Sequence, residues 1–369
     1  MIKLNLFHIY FPKLKPLKIS LGEFARETYL VVLNYNGLKG VGGAYPFKPI
    51  TGDTPKLLIS EAKRIINIPL NPKKDAPKKL YLFLDKKIKS KTLQAAVDAA
   101  YHDLLGKIKK VPAYELYSKK PFSALNSVTV FLQDSMKATK LDAMNIYEQV
   151  PGLKILKIKL SGKDDIKRVK VIKDVSPADM KFILDANQAY KDPKKAVKVL
   201  EEINKILKKV ILVEQPCPKN DLKSLKYITD NLKCMMVFAD EAAATFEDAK
   251  KVVSKKAAHG VNIKLQKAGG IYPSMQIAKY CKEHGMKIMV GAMIEDTIGL
   301  TACVHFATAN SNVVLTDLDT DLDTPKYING GSYLGSGKRK IYSRHGLGID
   351  FDVKRLSKYK NDVVYRKLI

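Results

Sequence analysis

From residue 125 onward the chain repeats one pattern. A short apolar segment comes first, then a charged residue at or just past its end, then an amphipathic stretch. The apolar segments are Ser127 to Phe131, Ile155 to Leu160, Phe182 to Leu184, Val210 to Val213, Met235 to Ala239, Val261 to Leu265, Lys287 to Val290 and Asn312 to Thr316. Each is the length of a strand, and a helix fits between each and the next, which is the connection that parallel strands need. Eight such units predict an α/β fold whose sheet closes into a barrel. An open doubly wound sheet is the alternative, but such folds usually begin with a phosphate-binding Gly-x-Gly-x-x-Gly, and none is present.

The residues before the barrel have a different texture. Ile2 to Phe11, Tyr29 to Tyr35 and Gly40 to Ala44 read as a β meander with a turn at Asn36-Gly37. A polar stretch, Ser20 to Glu27, and a loop, Pro46 to Asp53, separate or follow these strands. Thr54 to Lys110 reads mostly as helices, Leu93 to Leu105 most clearly. The expected units are therefore residues 1–122 as an α+β domain, 123–324 as the barrel, and 325–369 as a glycine-rich segment returning to the first unit.

Composition narrows the functional classes. With 46% hydrophobic residues over 369 positions, a large core is available and disorder is not expected. No apolar run reaches the length of a membrane helix, so no membrane partner is expected. Met1-Ile2-Lys3-Leu4-Asn5 lacks the features of a signal peptide, giving a cytoplasmic expectation. Cys217, Cys234, Cys281 and Cys303 form no Cys-x-x-Cys, which points to reduced thiols rather than zinc or redox chemistry. The formal charge of +28 raises nucleic-acid binding on an inactive barrel. The lysines are dispersed without a dense block or interleaved aromatics, so no nucleic-acid partner is expected.

Chemistry is legible at the strand ends, which a parallel barrel gathers at one mouth. Asp185, Glu214 and Asp240 end three successive segments. Carboxylates brought so close repel one another unless a cation sits among them, and oxygen donors without His or Cys favour Mg²⁺, with Mn²⁺ as substitute. In Leu156-Lys157-Ile158-Lys159-Leu160 the alternation turns both lysines to one side of the strand, inward if the apolar residues face the helices. Lys264 ends a strand roughly opposite. Lysines shift their pKa readily, so two of them facing each other could remove a proton from one face of a carbon and return it to the other.

These residues resemble a known family. Lys157-Ile158-Lys159, Asp185-Ala186-Asn187, Val213-Glu214-Gln215-Pro216, Ala239-Asp240-Glu241 and Asn262-Ile263-Lys264-Leu265 through Gly269-Gly270-Ile271 are similar to the signature of the enolase superfamily, and within it to the muconate-lactonizing-enzyme subgroup. The resemblance implies a modified TIM barrel, (β/α)₇β, under an N-terminal α+β capping domain. It implies Asp185, Glu214 and Asp240 as ligands of one Mg²⁺ per subunit and Lys159 and Lys264 as the acid/base pair. It also implies Lys157 as positive charge for an enolate, with Asn187 and Glu241 in support. Sites of this superfamily set a Lys or His base beside Mg²⁺ that stabilises an ene-diolate.

Asp317-Leu318-Asp319 resembles the Asp-x-Asp motif with which dipeptide epimerases hold the substrate's α-ammonium; Asp321 and Asp323 offer a rival register. The backbone of Gly291, Met293 and Ile294 would line the peptide. Ile50-Thr51-Gly52-Asp53 matches epimerases of Ala-Glu dipeptides, but their loop arginine is Gly22 here, leaving Arg26 or Lys48 to grip an acidic side chain. The expectation is an isomerase inverting the C-terminal residue of L-Ala-L-Glu in peptidoglycan-peptide salvage, as a homo-oligomer. o-Succinylbenzoate synthase and N-acylamino acid racemase are the alternatives.

Overall fold

The computed structural model describes residues 1–14, 16–19, 22–342, 344–352 and 362–369, with the backbone alone at 17–19 and 22–24. The first unit is an antiparallel sheet of β1 (Ile2–Tyr10), β2 (Glu27–Tyr35) and β3 (Leu38–Ala44), packed against α1 (Pro55–Arg64), α2 (Pro77–Lys87) and α3 (Lys91–Lys109). α3 lies directly on β3 because two strand positions have no side chain. A Cβ on Gly40 would meet Ala100 O at 2.0 Å, and one on Gly42 would meet Ala96 O at 2.1 Å. Alanines at 95, 96, 99 and 100 complete that close approach. Two expectations change here. Within the polar stretch Gly22–Phe24 pairs with Leu17–Ile19 just before it, while Ser20 and Leu21 lie outside the described residues. The loop after β3 holds one helical turn, Lys48–Thr51, ended by Gly52 at φ 75°.

The barrel strands are β4 (Leu125–Val130), β5 (Ile155–Lys159), β6 (Lys181–Asp185), β7 (Val210–Glu214), β8 (Met236–Ala239), β9 (Gly260–Ile263), β10 (Lys287–Gly291) and β11 (Val313–Asp317). They pair in chain order, all parallel, and β11 closes on β4. Between them run α4 (Met136–Gln149), α5 (Asp165–Lys173), α6 (Pro193–Leu207), α7 (Leu222–Asn231), α8 (Phe246–Ser254), α9 (Ile271–Glu283) and α10 (Thr297–Thr308). Eight strands with seven long helices between them, besides the single helical turn Leu265–Ala268, make a (β/α)₇β barrel.

α6 shows how the sequence builds the outer ring. The Asp192 side chain accepts the amides of Lys194 and Lys195, Pro193 fills the first position, and Lys208 ends the helix at φ 64°. Ala196, Leu200, Ile203 and Leu207 recur at helical spacing and are buried against the strands, the lysines between them facing out. Each large aliphatic so buried stabilises the fold by about 1.5–3 kcal/mol.

Inside the barrel the period-two alternation sets which residues meet. Ile155, Ile183, Leu212, Phe238, Met289 and Leu315 point inward and form a buried apolar plug. The next inward position on each of those strands, two residues on, lies one layer higher, at the mouth. The tail serves both units. β12 (Val364–Lys367) pairs antiparallel with β1, while the hairpin Ser332–Gly335 with Lys338–Ile341 stays by the barrel, where Asn126 N donates to Gly337 O at 2.8 Å. Among the described residues no helix is long and apolar enough to cross a membrane.

Candidate active site

The layer above the plug is charged almost throughout. Lys157 and Lys159 come from β5, Asp185 ends β6, Glu214 ends β7, Asp240 follows β8, Lys264 follows β9 and Asp317 ends β11. The register sets Lys159 beside Asp185, and Asp185 beside Glu214. In a closed ring of eight strands, β5 and β9 are four steps apart either way, so Lys159 and Lys264 stand diametrically opposed. All of these groups are buried.

The lysines and acids are tied together. Lys157 Nζ lies 2.9 Å from Asp185, 2.8 Å from Glu214 and 2.6 Å from Asp317. Lys159 Nζ donates to Asp185 at 2.6 Å and to Asn187 Oδ1 at 2.9 Å. Lys264 pairs with Asp240 at 2.8 Å; Lys267 pairs with the same carboxylate and also donates to the Asp240 carbonyl at 2.7 Å. Burial opposes charge at Asp185, but Lys157 and Lys159 outweigh it and hold the carboxyl far below the usual range. Asp240 is lowered likewise against burial, by Lys264 and Lys267. Glu214 goes the other way. Burial, then the charge of Asp185, push it up to about 8. Burial disfavours the Lys264 ammonium, yet Asp240 and Glu214 raise its pKa overall.

The mouth holds a surplus of negative charge. Six carboxylates (Asp185, Glu214, Asp240, Glu241, Asp317, Asp319) face four ammoniums (Lys157, Lys159, Lys264, Lys267), leaving a formal charge of two negative units. Glu241 Oε2 is buried without a hydrogen-bond partner. The donors are all oxygen. This set fits one hard divalent cation, which would cancel the surplus. The side chains as placed do not close on one point: among the described residues no three carboxylates, imidazoles or thiolates form a ready metal cage. The cause is the lysines, since Asp185, Glu214 and Asp240 are each turned to an ammonium.

A cavity opens above this layer. It is lined by Lys157, Lys159, Asn187, Asp240, Glu241 and Lys264 on one side, and by Thr129, Phe131, Ala292, Met293, Ile294, Asp317, Asp319 and Thr320 on the other. Phe47 and Ile50 from the capping unit lie against it as well. Asp317 is held by the Ser127 hydroxyl at 2.9 Å, and Asp319 accepts the Thr129 amide at 2.6 Å. Burial, then Asp317, push Asp319 up to about 6. Two acids presented side by side in this way suit a cationic group.

Three expected contacts come out differently. Arg26 does not line the cavity: its guanidinium grips Asp323 through two bonds of 2.5 and 2.6 Å and reaches Thr320 O at 3.4 Å. Thr51 shapes its own turn, donating to Phe47 O at 3.1 Å, and leaves the cavity to Ile50. Gly291 contributes an absence of side chain, because a Cβ there would sit 2.7 Å from the Asn262 amide and 3.0 Å from Lys264 Cε. The rival acidic pair is also committed elsewhere, Asp321 to Arg339 and Asp323 to Arg26. Both members of the Asp321–Arg339 pair are buried. Asp321→Ala is therefore expected to cost about 3–5 kcal/mol by leaving a buried guanidinium unpaired, read as a lower urea midpoint.

Sequence reasoning missed Lys267, Thr129, Phe131, Phe47, Thr320 and Glu295. Lys267 sits three residues past Lys264, one helical turn on, and that spacing was a usable signal. Phe131 and Thr129 continue the inward alternation of β4. Glu295, behind the Ala292–Ile294 turn, is pushed up to about 7, chiefly by burial, and accepts the Met293 amide.

Comparison with known proteins agrees with this architecture. Residues 142–355 match the enolase C-terminal domain-like family, and residues 1–117 match the mandelate racemase/muconate lactonizing enzyme N-terminal domain. A hydrophobic dipeptide epimerase of Enterococcus faecalis is 33% identical over 362 residues, 94% of this chain and 99% of that protein. The L-Ala-D/L-Glu epimerase of Bacillus subtilis is 32% identical over 357 residues, 94% of this chain and 96% of that protein. The substrate-liganded structure of the Bacillus enzyme superposes with a TM-score of 0.84 at 30% identity, covering 95% of this chain and 98% of that one. The Enterococcus enzyme with Mg and L-Leu-L-Tyr gives 0.83 at 32% identity, covering 95% and 100%.

Proposed function

This chain belongs to the mandelate racemase/muconate lactonizing enzyme group of the enolase superfamily, and on that premise we propose that it is a dipeptide epimerase. It inverts the α-carbon of the C-terminal residue by 1,1-proton transfer. The observation that carries this is the opposition of Lys159 and Lys264 across a cavity with Asp317 and Asp319 on its rim.

The residues divide the work. Asp317 and Asp319 take the free ammonium of the first residue, which fixes where the second α-carbon lies. Lys159 and Lys264 then face opposite sides of that carbon. One removes the proton, the other delivers a proton to the far face, and their roles exchange for the reverse reaction. Lys157, fully buried, keeps a positive charge beside the oxygens on which negative charge grows. Asp185, Glu214 and Asp240 would hold Mg²⁺, or Mn²⁺ in its place. A divalent cation held there would supply positive charge for the substrate carboxylate, and Lys159 and Lys264, no longer needed as partners of these acids, would be available to the α-carbon. Asn187 and Glu241 steady Lys159 and the acidic side of the mouth.

Similarity supports this over synthase or racemase chemistry, whose substrates lack an ammonium. The setting we propose is peptide salvage in the cytoplasm, where four unpaired cysteines suit a reducing compartment. Asp317→Asn with Asp319→Asn is expected to lower kcat/KM for a free dipeptide by ~10²-fold or more, because a desolvated ammonium loses both partners. The native enzyme should reject the N-acetylated dipeptide to a comparable degree. Equal turnover of the acetylated and free forms would move the assignment to the racemase reading.

A further inference from the structure

We propose that the residue being inverted carries an apolar side chain, which rests on Phe47 and Ile50 of the capping unit. The proposal depends on the epimerase reading.

Loss of the α-proton makes the α-carbon planar, and the proton axis is the line joining the two lysines. Lys159 on β5 and Lys264 after β9 face each other across the ring, so the plane of the other three substituents stands across that line. This plane contains the barrel axis and the direction from β7 to β11. The carboxylate occupies the side of Asp185, Glu214 and Asp240. The peptide nitrogen runs toward β11, where Asp317 and Asp319 await the ammonium.

The side chain is then left with the barrel axis. Downward is closed by Lys157 and its carboxylate partners and, beneath them, by the buried apolar plug. Upward lies the capping unit, which contributes Phe47 and Ile50 to the cavity among the described residues. From the rim, Phe131, Met293 and Ile294 add to the same apolar wall. No cation among the described residues lines the cavity other than Lys157, Lys159 and Lys264. Arg26 is engaged by Asp323, and Lys48 is exposed. A glutamate side chain in this place would bury a carboxylate against hydrocarbon, whereas leucine, methionine or phenylalanine would bury apolar surface on apolar surface.

The test is kcat/KM for epimerisation of L-Ala-L-Leu, L-Ala-L-Phe, L-Ala-L-Glu and L-Ala-L-Lys by the native enzyme with Mg²⁺. We expect the leucine or phenylalanine dipeptide to exceed the glutamate one by ~tenfold or more. A glutamate dipeptide turned over as well as the apolar ones overturns this inference and leaves the epimerase standing. Turnover of none of the four overturns the epimerase reading itself. Ile50→Arg gives a second check, since a cation in that position should move the ratio toward glutamate by ~tenfold. An unchanged ratio would remove Ile50 from contact with the side chain.

Discussion

Lys159→Met and Lys264→Met will each lower epimerisation by ~10²–10⁴-fold, the range for loss of a positioned proton-transfer group. They will differ in what survives. Each variant keeps one lysine on one face of the α-carbon, so each should still exchange the α-proton of one epimer with solvent, and the two should favour opposite epimers. Methionine has nearly the length of lysine without its charge, and Asp240 keeps Lys267 when Lys264 is lost. Lys157→Met should act otherwise. Its ammonium touches Asp185, Glu214 and Asp317 and belongs to neither face, so exchange of both epimers should fall together. Loss of exchange for the same epimer in both Lys159 and Lys264 variants would contradict the two-base arrangement.

Chelation is expected to have an effect of similar size. The mouth carries two more carboxylates than ammoniums, and burial with Asp185 holds Glu214 near 8. Removing divalent cations from the preparation should reduce turnover by ~10³-fold or more, equivalent to about 4 kcal/mol of transition-state stabilisation. Mg²⁺ or Mn²⁺ should restore it, since every donor is an oxygen. A stability readout is independent of turnover: a cation that binds only the folded mouth should raise the thermal midpoint with its concentration. A midpoint indifferent to Mg²⁺ would remove Asp185, Glu214 and Asp240 from metal binding.

How much of this could be read in advance depended on the range of the interaction concerned. The alternation in Leu156 to Leu160 is local, and it placed Lys157 and Lys159 inside the barrel with Leu156 and Ile158 against the helices. Strand ends are local too, so Asp185, Glu214, Asp240 and Lys264 followed once a parallel barrel was inferred. The ring order that opposes β5 to β9 is a consequence of closure, and the eight-unit pattern implied it. Arg26 failed for the opposite reason. Its partner, Asp323, lies 297 residues away, and nothing in either neighbourhood marks the pair. Phe47 and Ile50 became visible only when the turn Lys48–Thr51 was seen to tip them over the mouth while Thr51 bonded back to Phe47. The proposed preference for an apolar side chain thus rests on tertiary placement, whereas the residues proposed to move the proton stand in and at the ends of strands legible in the sequence.

The most direct measurement is proton NMR of the native enzyme with Mg²⁺ and L-Ala-L-Leu or L-Ala-L-Glu in D₂O. The two-lysine mechanism predicts that the α-proton signal of the C-terminal residue disappears as the L,D isomer forms, with solvent deuterium in the product from the first turnovers and the N-terminal α-proton untouched. Inversion that retains the original proton, or exchange confined to the N-terminal residue, would contradict it.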